Sequence, residues 1–364
     1  MIFMTRSSLS LVRVLYFGIC DPNFSRNKIY VDGLRANGIE VIVCMDKSSG
    51  FRKFWNLFWK HWRLRSDYDV MIVGYTSYIA VPFARIITRK PVIFDALCSY
   101  YESEIISRDA FKGRPFRITY VRFVDWISTR CAHKILVETE KQKEYFINTL
   151  GVKSDKCVVV YTGVDSSIFY FDSSIKKAEQ FTVLFRGRIN RESGAKHVLR
   201  AAKMLENEDV RFLIIGYGWD EAMREFSAIL AESSLKNVTH IGKQIPIEEL
   251  RTLMLSSHIS LGQLEDNERL KRTIPHKAFE SIAMKLPYIT ARADGISEIV
   301  KDGEQCIMVI PADPKDLADK ILKLKNDKVL RDKIVDSAYF LYEQKFTPQK
   351  IVQPIIGILR TLHY

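Results

Sequence analysis

The sequence predicts an α/β fold with two Rossmann-like βα domains in succession. Short apolar runs, each long enough for one buried strand, alternate with longer segments whose apolar residues recur at helical spacing. This alternation is typical of a parallel sheet covered by helices. The pattern runs from about residue 12 to 161, is interrupted by the polar stretch 172–180, and restarts at residue 181. A chain of 364 residues is also long enough for two domains.

The composition is that of an ordered globular protein, with 47% hydrophobic and 27% charged residues. No apolar run is long enough to span a bilayer. Leu9 to Cys20 is apolar but is broken by Arg13 and lacks a small-residue cleavage site, so we interpret it as the first strand rather than a signal peptide. Six scattered cysteines without a C-x-x-C pair indicate a cytoplasmic protein with neither a zinc site nor a disulfide framework. A net charge of +12 suggests an acidic partner, such as nucleic acid, anionic lipid or a phosphorylated substrate.

The first domain opens with a strand, a loop at 19–26, a helix and a second strand. The loop has no G-x-G-x-x-G, which argues against a dinucleotide dehydrogenase. Arg26, at the end of this loop, either contacts a phosphate or is a solvated loop residue. Asp95 ends the strand 91–95, where a carboxylate points toward the crevice of a doubly wound sheet. The alternative is that Asp95 caps the following turn.

Residues 51–65 form a predicted helix with one aromatic stripe and no acidic residue. Aromatic and basic residues together are typical of a helix that lies in a bilayer interface. The alternative is that the stripe is buried in the core of the first domain. An intermediate possibility is that some rings are buried and the rest are exposed. The predicted membrane-surface residues are Trp55, Trp59, Trp62, Lys53, Lys60 and Arg63.

In the second domain, residues 258–290 predict a strand, a charged loop, a short helix and another strand. Pro275 suits the first turn of the helix because its fixed φ and missing N–H are tolerated there. Lys277 and Glu280 are three residues apart and project from one side of this helix. Helix N-termini attract anions, and open α/β sheets bind ligands beyond their strand ends, so this segment predicts a ligand site.

The same segment resembles a known family. Ile274 to Glu280 followed by Ala283 to Pro287 is similar to the PNKxFExxAxGxP signature of glycosyltransferase family 4. The resemblance implies a GT-B fold and sugar transfer from a nucleotide-sugar donor with retention of configuration. It also implies that Glu280 holds the ribose hydroxyls of the donor, and that Asp95, in VIFDALCSYY, touches the transferred sugar.

The segment FRGRINRESG resembles the family's GRxxxxKG motif, whose Arg and Lys clamp the donor diphosphate. Arg188 matches the Arg, but Ser193 stands where the Lys belongs. Arg272 stands where the family has a Glu that contacts the sugar. The charge missing at Ser193 is expected from Lys196, Arg191 or Lys277, and that missing at Arg272 from Glu265, Asp266 or Glu268.

The resemblance therefore implies two sets of site residues. The catalytic set is Asp95, Arg188 and Lys277. The donor-binding set is Gly187, Arg188, Gly216, Gly242, Arg272, Pro275, Lys277 and Glu280. Arg26 is the candidate on the acceptor side.

The predicted domains are an acceptor-side domain of residues 1–170 plus 346–364, which includes a returning C-terminal helix, and a donor domain of residues 171–345. A sugar-nucleotide reaction is then expected in the cleft between them, without a cofactor or an essential metal. With the basic aromatic helix, we predict a retaining hexosyltransferase that acts on a glycan or lipid-linked saccharide at the cytoplasmic face of the membrane.

Three alternatives stay open: a non-catalytic membrane- or saccharide-binding relative, a nucleotide-sugar epimerase of the same fold, and a nucleic-acid binder. Only the net charge suggests the last of these, and the sequence has no recognisable nucleic-acid motif. We therefore expect no nucleic-acid partner.

Overall fold

The computed structural model describes residues 12–108, 114–219 and 221–362. Contacts divide the chain into two compact units, one of residues up to 165 and from 346 onward, the other of residues 166–345. The sequence-based boundary at residue 170 lies five residues later. Parts of two predicted segments lie outside the described residues: the start of the first strand and the last residues of the C-terminal helix.

The first unit contains a parallel sheet of six strands in the order β2-β1-β3-β4-β5-β6. The strands are β1 Arg13–Gly18, β2 Glu40–Met45, β3 Val70–Val73, β4 Val92–Leu97, β5 Lys134–Val137 and β6 Cys157–Val159. The helices between them are α1 Ser25–Ala36, α2 Arg52–Leu64, α3 Ala80–Ile87, α4 Pro115–Cys131 and α5 Glu140–Leu150.

The connections of the first unit assign its helices to two layers. The chain moves in one direction along the sheet from β3 to β6, and the step from β2 over β1 to β3 has the same direction. Because such crossovers are right-handed, α2, α3, α4 and α5 cover one face of the sheet. The step from β1 to β2 runs the other way, so α1 covers the opposite face.

The second unit repeats this architecture with the strand order β12-β11-β10-β7-β8-β9, all parallel. Its strands are β7 Thr182–Arg186, β8 Arg211–Ile215, β9 Val238–Ile241, β10 Ile259–Leu261, β11 Tyr288–Ala291 and β12 Ile307–Val309. Its helices are α6 Ala195–Met204, α7 Glu221–Ser233, α8 Ile247–Ser256, α9 His276–Ala283, α10 Asp294–Ser297, α11 Pro314–Asn326 and α12 Lys328–Leu341.

The chain returns to the first unit at its C-terminal end, as the sequence predicts. Two helices, α13 Pro348–Ile351 and α14 Gln353–Leu362, follow residue 346. The side-chain amide of Asn37 donates to the carbonyl of Gln349 over 3.0 Å and accepts from Gln353 over 2.9 Å. Gly33 lets the two segments approach, because a Cβ there would lie 2.3 Å from the carbonyl oxygen of Pro348.

No helix within the described ranges is both long enough and apolar enough to cross a bilayer. All six cysteines are unpaired, in agreement with the sequence.

Candidate functional site

The site in the second unit is built around an ion pair between Arg186, the last residue of β7, and Glu280 on α9. An Nη of Arg186 donates to a carboxylate oxygen of Glu280, and both residues are less than one-tenth exposed. The guanidinium carbon of Arg186 lies 5.5 Å from the ring centroid of Phe169. Its buried Nε has no hydrogen-bond acceptor among the described residues. Arg186 was absent from the predicted site, although its place at a strand end beside Gly187 was a usable signal.

Lys277 lies beside this pair. Its ammonium is 3.5 Å from the amide oxygen of Gln263 and 4.4 Å from the ring centroid of Phe185. Burial lowers the pKa of Lys277 to about 7, with the Arg186 charge acting in the same direction and Glu280 opposing it. Lys277 is therefore a buried amine that changes its protonation near neutral pH.

Glu280 stays ionised. Burial alone would raise the pKa of its carboxyl, but the charges of Arg186, His276 and Lys277 outweigh burial and lower it. The pair consequently presents a fixed carboxylate from the middle of α9, which is the kind of acceptor that sugar hydroxyls bind.

Glycines bring the backbone of two strand ends close to Lys277. Gly187 has a φ of 113° and a Cβ there would lie 3.2 Å from the Cε of Lys277. A Cβ at Gly216 would lie 2.6 Å from the carbonyl oxygen of Gly187. The structure thus brings together four predicted residues, Gly187, Gly216, Lys277 and Glu280.

The other predicted donor residues have different neighbours. Arg188 is exposed, and its guanidinium carbon lies 4.7 Å from the ring centroid of Trp219. Gly242 is exposed beside His240, whose Nε2 is 2.9 Å from the carbonyl oxygen of Gly216. Pro275 is the N-cap of α9, one position before the predicted first turn. The backbone of Arg272 packs against α10, because a Cβ at Gly295 would lie 2.8 Å from the carbonyl carbon of Arg272.

Ser193, at the position where the family has a Lys, is buried, and among the contacts described its hydroxyl bonds only within its own turn. Its hydroxyl donates to the carbonyl of Asn190 over 2.7 Å and accepts from the N–H of the same residue over 3.2 Å. Lys196 pairs with Glu225 at 3.3 Å and with Glu265 at 3.4 Å. These residues border a pocket of about 300 Å³ at the N-terminal end of α6.

All three candidates that were named for the missing sugar-contacting Glu also have partners. Lys271 lies 2.6 Å from a carboxylate oxygen of Glu268 and 3.7 Å from one of Asp266. Glu265 lies 3.3 Å from His197 as well as near Lys196. Their role as substitutes stays a prediction.

The structure corrects the interpretation of Arg26. This residue lies in the first turn of α1, not in the preceding loop, and has no exposed surface. Its Nε donates to both carboxylate oxygens of Asp95 over 3.0 and 3.1 Å, and one Nη donates to the Thr162 hydroxyl over 2.8 Å. Burial would lower the pKa of Arg26, but Asp95 outweighs burial and raises it. Arg26 therefore stays charged inside the first unit and does not meet a phosphate.

Asp95 is corrected with it. The residue does end up near the carboxyl end of β4, as predicted, but its side chain is fully buried and engaged by Arg26. A direct contact with a transferred sugar requires an accessible carboxylate. Asp95 is better described as the buried counter-ion that ties α1 to β4.

Helix α2 turns the tryptophans of its aromatic stripe outward. Leu57 and His61 are buried and anchor the opposite side, where His61 Nε2 lies 2.8 Å from the hydroxyl of Tyr68. The exposed fractions of the three tryptophans are 64% for Trp55, 44% for Trp59 and 48% for Trp62. Among the basic neighbours, Lys53 is half-buried, Arg63 is exposed, and Lys60 pairs with Asp46 at 3.0 Å. The alternative that the whole stripe is buried in the core is therefore wrong, and the intermediate case is the one observed, because Phe54 and Phe58 are half-buried.

Comparisons with known proteins identify the second unit. The family model described as glycosyl transferases group 1 matches residues 167–339, which is nearly all of this unit. The second unit is thus similar to the glycosyl transferases group 1 family, and the matched segment covers just under half of the chain. This glycosyltransferase is 23% identical over 295 residues to the capsular polysaccharide biosynthesis glycosyltransferase CapM of Staphylococcus aureus, across 76% of this chain and 72% of CapM. It is 25% identical to 2-deoxystreptamine N-acetyl-D-glucosaminyltransferase of Niallia circulans, across 73% and 69%.

Solved structures establish the fold of the glycosyltransferase. HepE of Anabaena, solved with UDP and glucose, matches with a TM-score of 0.70 and 17% identity, across 96% of this chain and all of HepE. Sucrose-phosphate synthase of Thermosynechococcus elongatus matches with a TM-score of 0.76 and 15% identity, across 96% and 99%. The two-domain α/β architecture is therefore the GT-B fold.

Proposed function

We propose that this glycosyltransferase transfers a hexose, with retention of configuration, from a nucleoside-diphosphate sugar to a glycan or lipid-linked saccharide at the cytoplasmic face of the membrane. The observation that carries the proposal is the buried Arg186–Glu280 pair with Lys277 and Gly187 beside it, at the strand ends of the second unit. Parallel α/β sheets bind ligands at this edge.

Different residues of the site bind different parts of the donor. Glu280, held by Arg186, accepts hydrogen bonds from the ribose hydroxyls. Lys277 and Arg188 stabilise the negative charge that develops on the departing nucleoside diphosphate, and such electrostatic stabilisation is usually the largest contribution to catalysis. Gly187 and Gly216 allow the donor to approach the backbone. We propose that no essential metal or cofactor takes part, with Lys277 and Arg188 providing the positive charge.

Relatives support both the donor and the acceptor class. HepE is described in complexes with UDP and with UDP-glucose. CapM is named for capsular polysaccharide biosynthesis. The exposed tryptophans and basic residues of α2 fit contact with an anionic membrane surface, where a lipid-linked acceptor would be found.

The donor site is tested by thermal stabilisation against a panel of nucleoside diphosphates and their sugars. A ligand at one hundred times its dissociation constant stabilises the fold by about 2.7 kcal/mol. We expect one nucleotide class to stabilise the wild type and Glu304→Gln, an exposed control on the same unit, but not Glu280→Gln. A wild type that no nucleotide stabilises would overturn the proposal.

Reaction products then test the chemistry. The anomeric configuration of the product by NMR decides between retention and inversion, and activity after EDTA treatment tests metal independence. An epimerised free nucleotide sugar would instead identify an epimerase.

Two departures from the family's motifs favour a second function, that of a non-catalytic saccharide- or membrane-binding relative. Ser193 is a buried hydroxyl with local bonds where the family has a Lys, and Arg272 replaces an acidic residue. Donor binding without hydrolysis or transfer, across a panel of saccharide and lipid-linked acceptors, would favour this function.

A further inference from the structure

Helix α4 carries a second exposed aromatic stripe, which was not among the predicted membrane residues. Four large side chains lie on its outer side, opposite the buried Val121, Val124 and Ser128. Their exposed fractions are 90% for Phe116, 48% for Tyr120, 53% for Phe123 and 48% for Trp126. Spacings of four, three and three residues align them along one face of the helix. Four aromatic residues on the solvent side of one helix are far more than scattered surface exposure.

The charged residues of α4 are almost all basic. The helix has three arginines, at 117, 122 and 130, and a single acidic residue, Asp125. Asp125 is only 2% exposed and accepts the backbone N–H groups of Tyr100 and Tyr101 over 2.7 and 2.9 Å. The one negative charge is therefore turned inward. The Arg130 guanidinium carbon lies 4.6 Å from the ring centroid of Trp126, so a basic group accompanies the exposed ring.

Helices α2 and α4 lie on the same face of the first sheet, with α3 between them, as the strand order and right-handed crossovers require. On α2, Lys60 bonds to Asp46 at the β2 edge, whereas Phe54 contacts Phe83 of α3 with ring centroids 5.3 Å apart. At helical spacing, Trp55 and Trp62 lie closer to Phe54 than to Lys60 and thus toward α3 and α4, whereas Trp59 points outward between the two sides. Ile86 of α3, 82% exposed, adds an apolar residue between them.

We propose that α4 is a second membrane-docking helix, which forms with α2 and α3 one aromatic and basic face that binds an anionic lipid bilayer. This inference rests on the proposed function, which places only α2 at the membrane. The three helices contain eight basic residues, four on α2, one on α3 and three on α4, and one acidic residue, the buried Asp125.

The chemistry of this face favours a bilayer over another occupant. Indole and phenol rings prefer the headgroup region, where one side of the ring is apolar and the other is wet. Arginine and lysine without exposed acidic neighbours are attracted to anionic headgroups. Two stripes, on the helices to either side of α3, would fix the orientation of the first unit on the membrane, which one helix alone does not do.

Single-tryptophan variants test the proposal with a separate reporter for each helix. One variant keeps only Trp126, through Trp55→Phe, Trp59→Phe, Trp62→Phe and Trp219→Phe. A second keeps only Trp59 and a third only Trp219, in the second unit. Each is mixed with phosphatidylcholine vesicles containing 30% phosphatidylglycerol and brominated acyl chains, in molar excess over protein. We expect quenching and a blue shift of Trp126 and Trp59, and neither for Trp219.

Affinity provides the second measurement. Phe116→Ser with Phe123→Ser removes two exposed rings from α4, and Phe340→Ser removes an exposed ring from the second unit as a control, with an exposed fraction of 63% that lies between theirs. We expect the α4 variant to lower the vesicle partition coefficient about tenfold or more, and the control to leave it unchanged. Because all three positions are exposed, thermal unfolding without vesicles should match the wild type.

The outcomes separate this inference from the proposed function. Quenching of Trp59 but not of Trp126 would overturn the inference and leave α2 as the membrane helix. Absence of any vesicle binding would overturn both membrane statements, while nucleotide stabilisation would still decide donor binding independently. Self-association of the wild type that is lost in the α4 variant, without vesicle binding, would identify a protein interface and overturn the inference.

Discussion

The motif identifies Lys277 in the sequence, but the folded surroundings of the residue determine its pKa. Its place three residues before Glu280 was visible in the sequence, and so was its helix. Its low pKa was not, because it depends on burial against Phe185 and on the charge of Arg186, which lies 91 positions earlier in the chain. Arg186 itself was missed: its place at a strand end beside Gly187 was a usable signal, but only the folded sheet shows that β7 ends beside α9.

We predict that nucleoside-diphosphate binding takes up a proton at Lys277. At pH 8 the side chain is mostly neutral, and a bound diphosphate favours the charged form, so affinity should fall as pH rises above about 7. Calorimetry at pH 8 in two buffers of different ionisation enthalpy measures the uptake, with close to one proton expected for the wild type. Lys277→Met should take up none, and equal uptake in both proteins would contradict the assignment.

The lowered pKa of Lys277 also determines how its contribution to stability changes with pH. Between about pH 7 and the ordinary lysine value of 10.5, the unfolded chain holds a proton that the folded chain does not. The contribution of Lys277 to the free energy of unfolding therefore rises with pH across this window, and the cost of its buried charge is fully present only below pH 7.

We predict that Asp95→Asn lowers stability more than it alters chemistry. The substitution leaves the Arg26 guanidinium buried without its counter-ion, and breaking a buried ion pair from one side costs about 3–5 kcal/mol. Urea unfolding measures the loss. The double variant Arg26→Met with Asp95→Leu should regain part of it. A variant of wild-type stability that has lost transfer activity would instead restore Asp95 to a catalytic role.

At the scale of elements, the hydrophobic patterns of the sequence predicted which segments are helices. They were less informative about which side of each helix is buried. The stripe on α2 was found at its correct spacing, and helix bounds of 52–64 agree with the predicted 51–65. The sequence left its burial open because aromatic rings suit both a core and a membrane interface. The fold decides it through Leu57 and His61, which pack inward and leave the tryptophans outside.

We predict that Gly33→Ala loosens the docking of α13 on α1. A Cβ at Gly33 would lie 2.3 Å from the carbonyl oxygen of Pro348 and 2.8 Å from a methyl group of Val352, so the C-terminal segment must shift. Overpacking of this kind costs about 1–3 kcal/mol. Limited proteolysis should cut the variant faster near residue 346 than it cuts the wild type.

Gly357→Ala is the matched control. This helical glycine of α14 has no other atom within 4 Å of the added Cβ, outside its own helix. The substitution should therefore stabilise the protein by about 0.5–1 kcal/mol. Equal protease sensitivity of Gly33→Ala and wild type would show that α13 tolerates the added methyl group.

For the whole molecule, the sequence predicted the two parallel sheets because buried strands of α/β proteins are short continuous apolar runs that periodicity detects. It also predicted that the chain returns to the first unit. The buried state of Arg26 could not be predicted, because its partners Asp95 and Thr162 lie 69 and 136 positions away. In the sequence, an exposed loop arginine and a buried helix arginine look the same when the residue that neutralises the charge lies this far along the chain.

The last prediction concerns which unit binds which ligand. If the donor site is the one around Glu280, a nucleoside diphosphate should slow amide exchange in peptides covering residues 183–190 and 273–284, and leave those of α2 and α4 unchanged. Anionic vesicles should do the reverse, since the membrane face lies entirely on the first unit. Hydrogen–deuterium exchange by mass spectrometry measures both in one protein, and Glu280→Gln should lose only the nucleotide effect. Nucleotide protection confined to the first unit would contradict the assignment of the donor to the second, because a bound ligand protects first the backbone that it contacts.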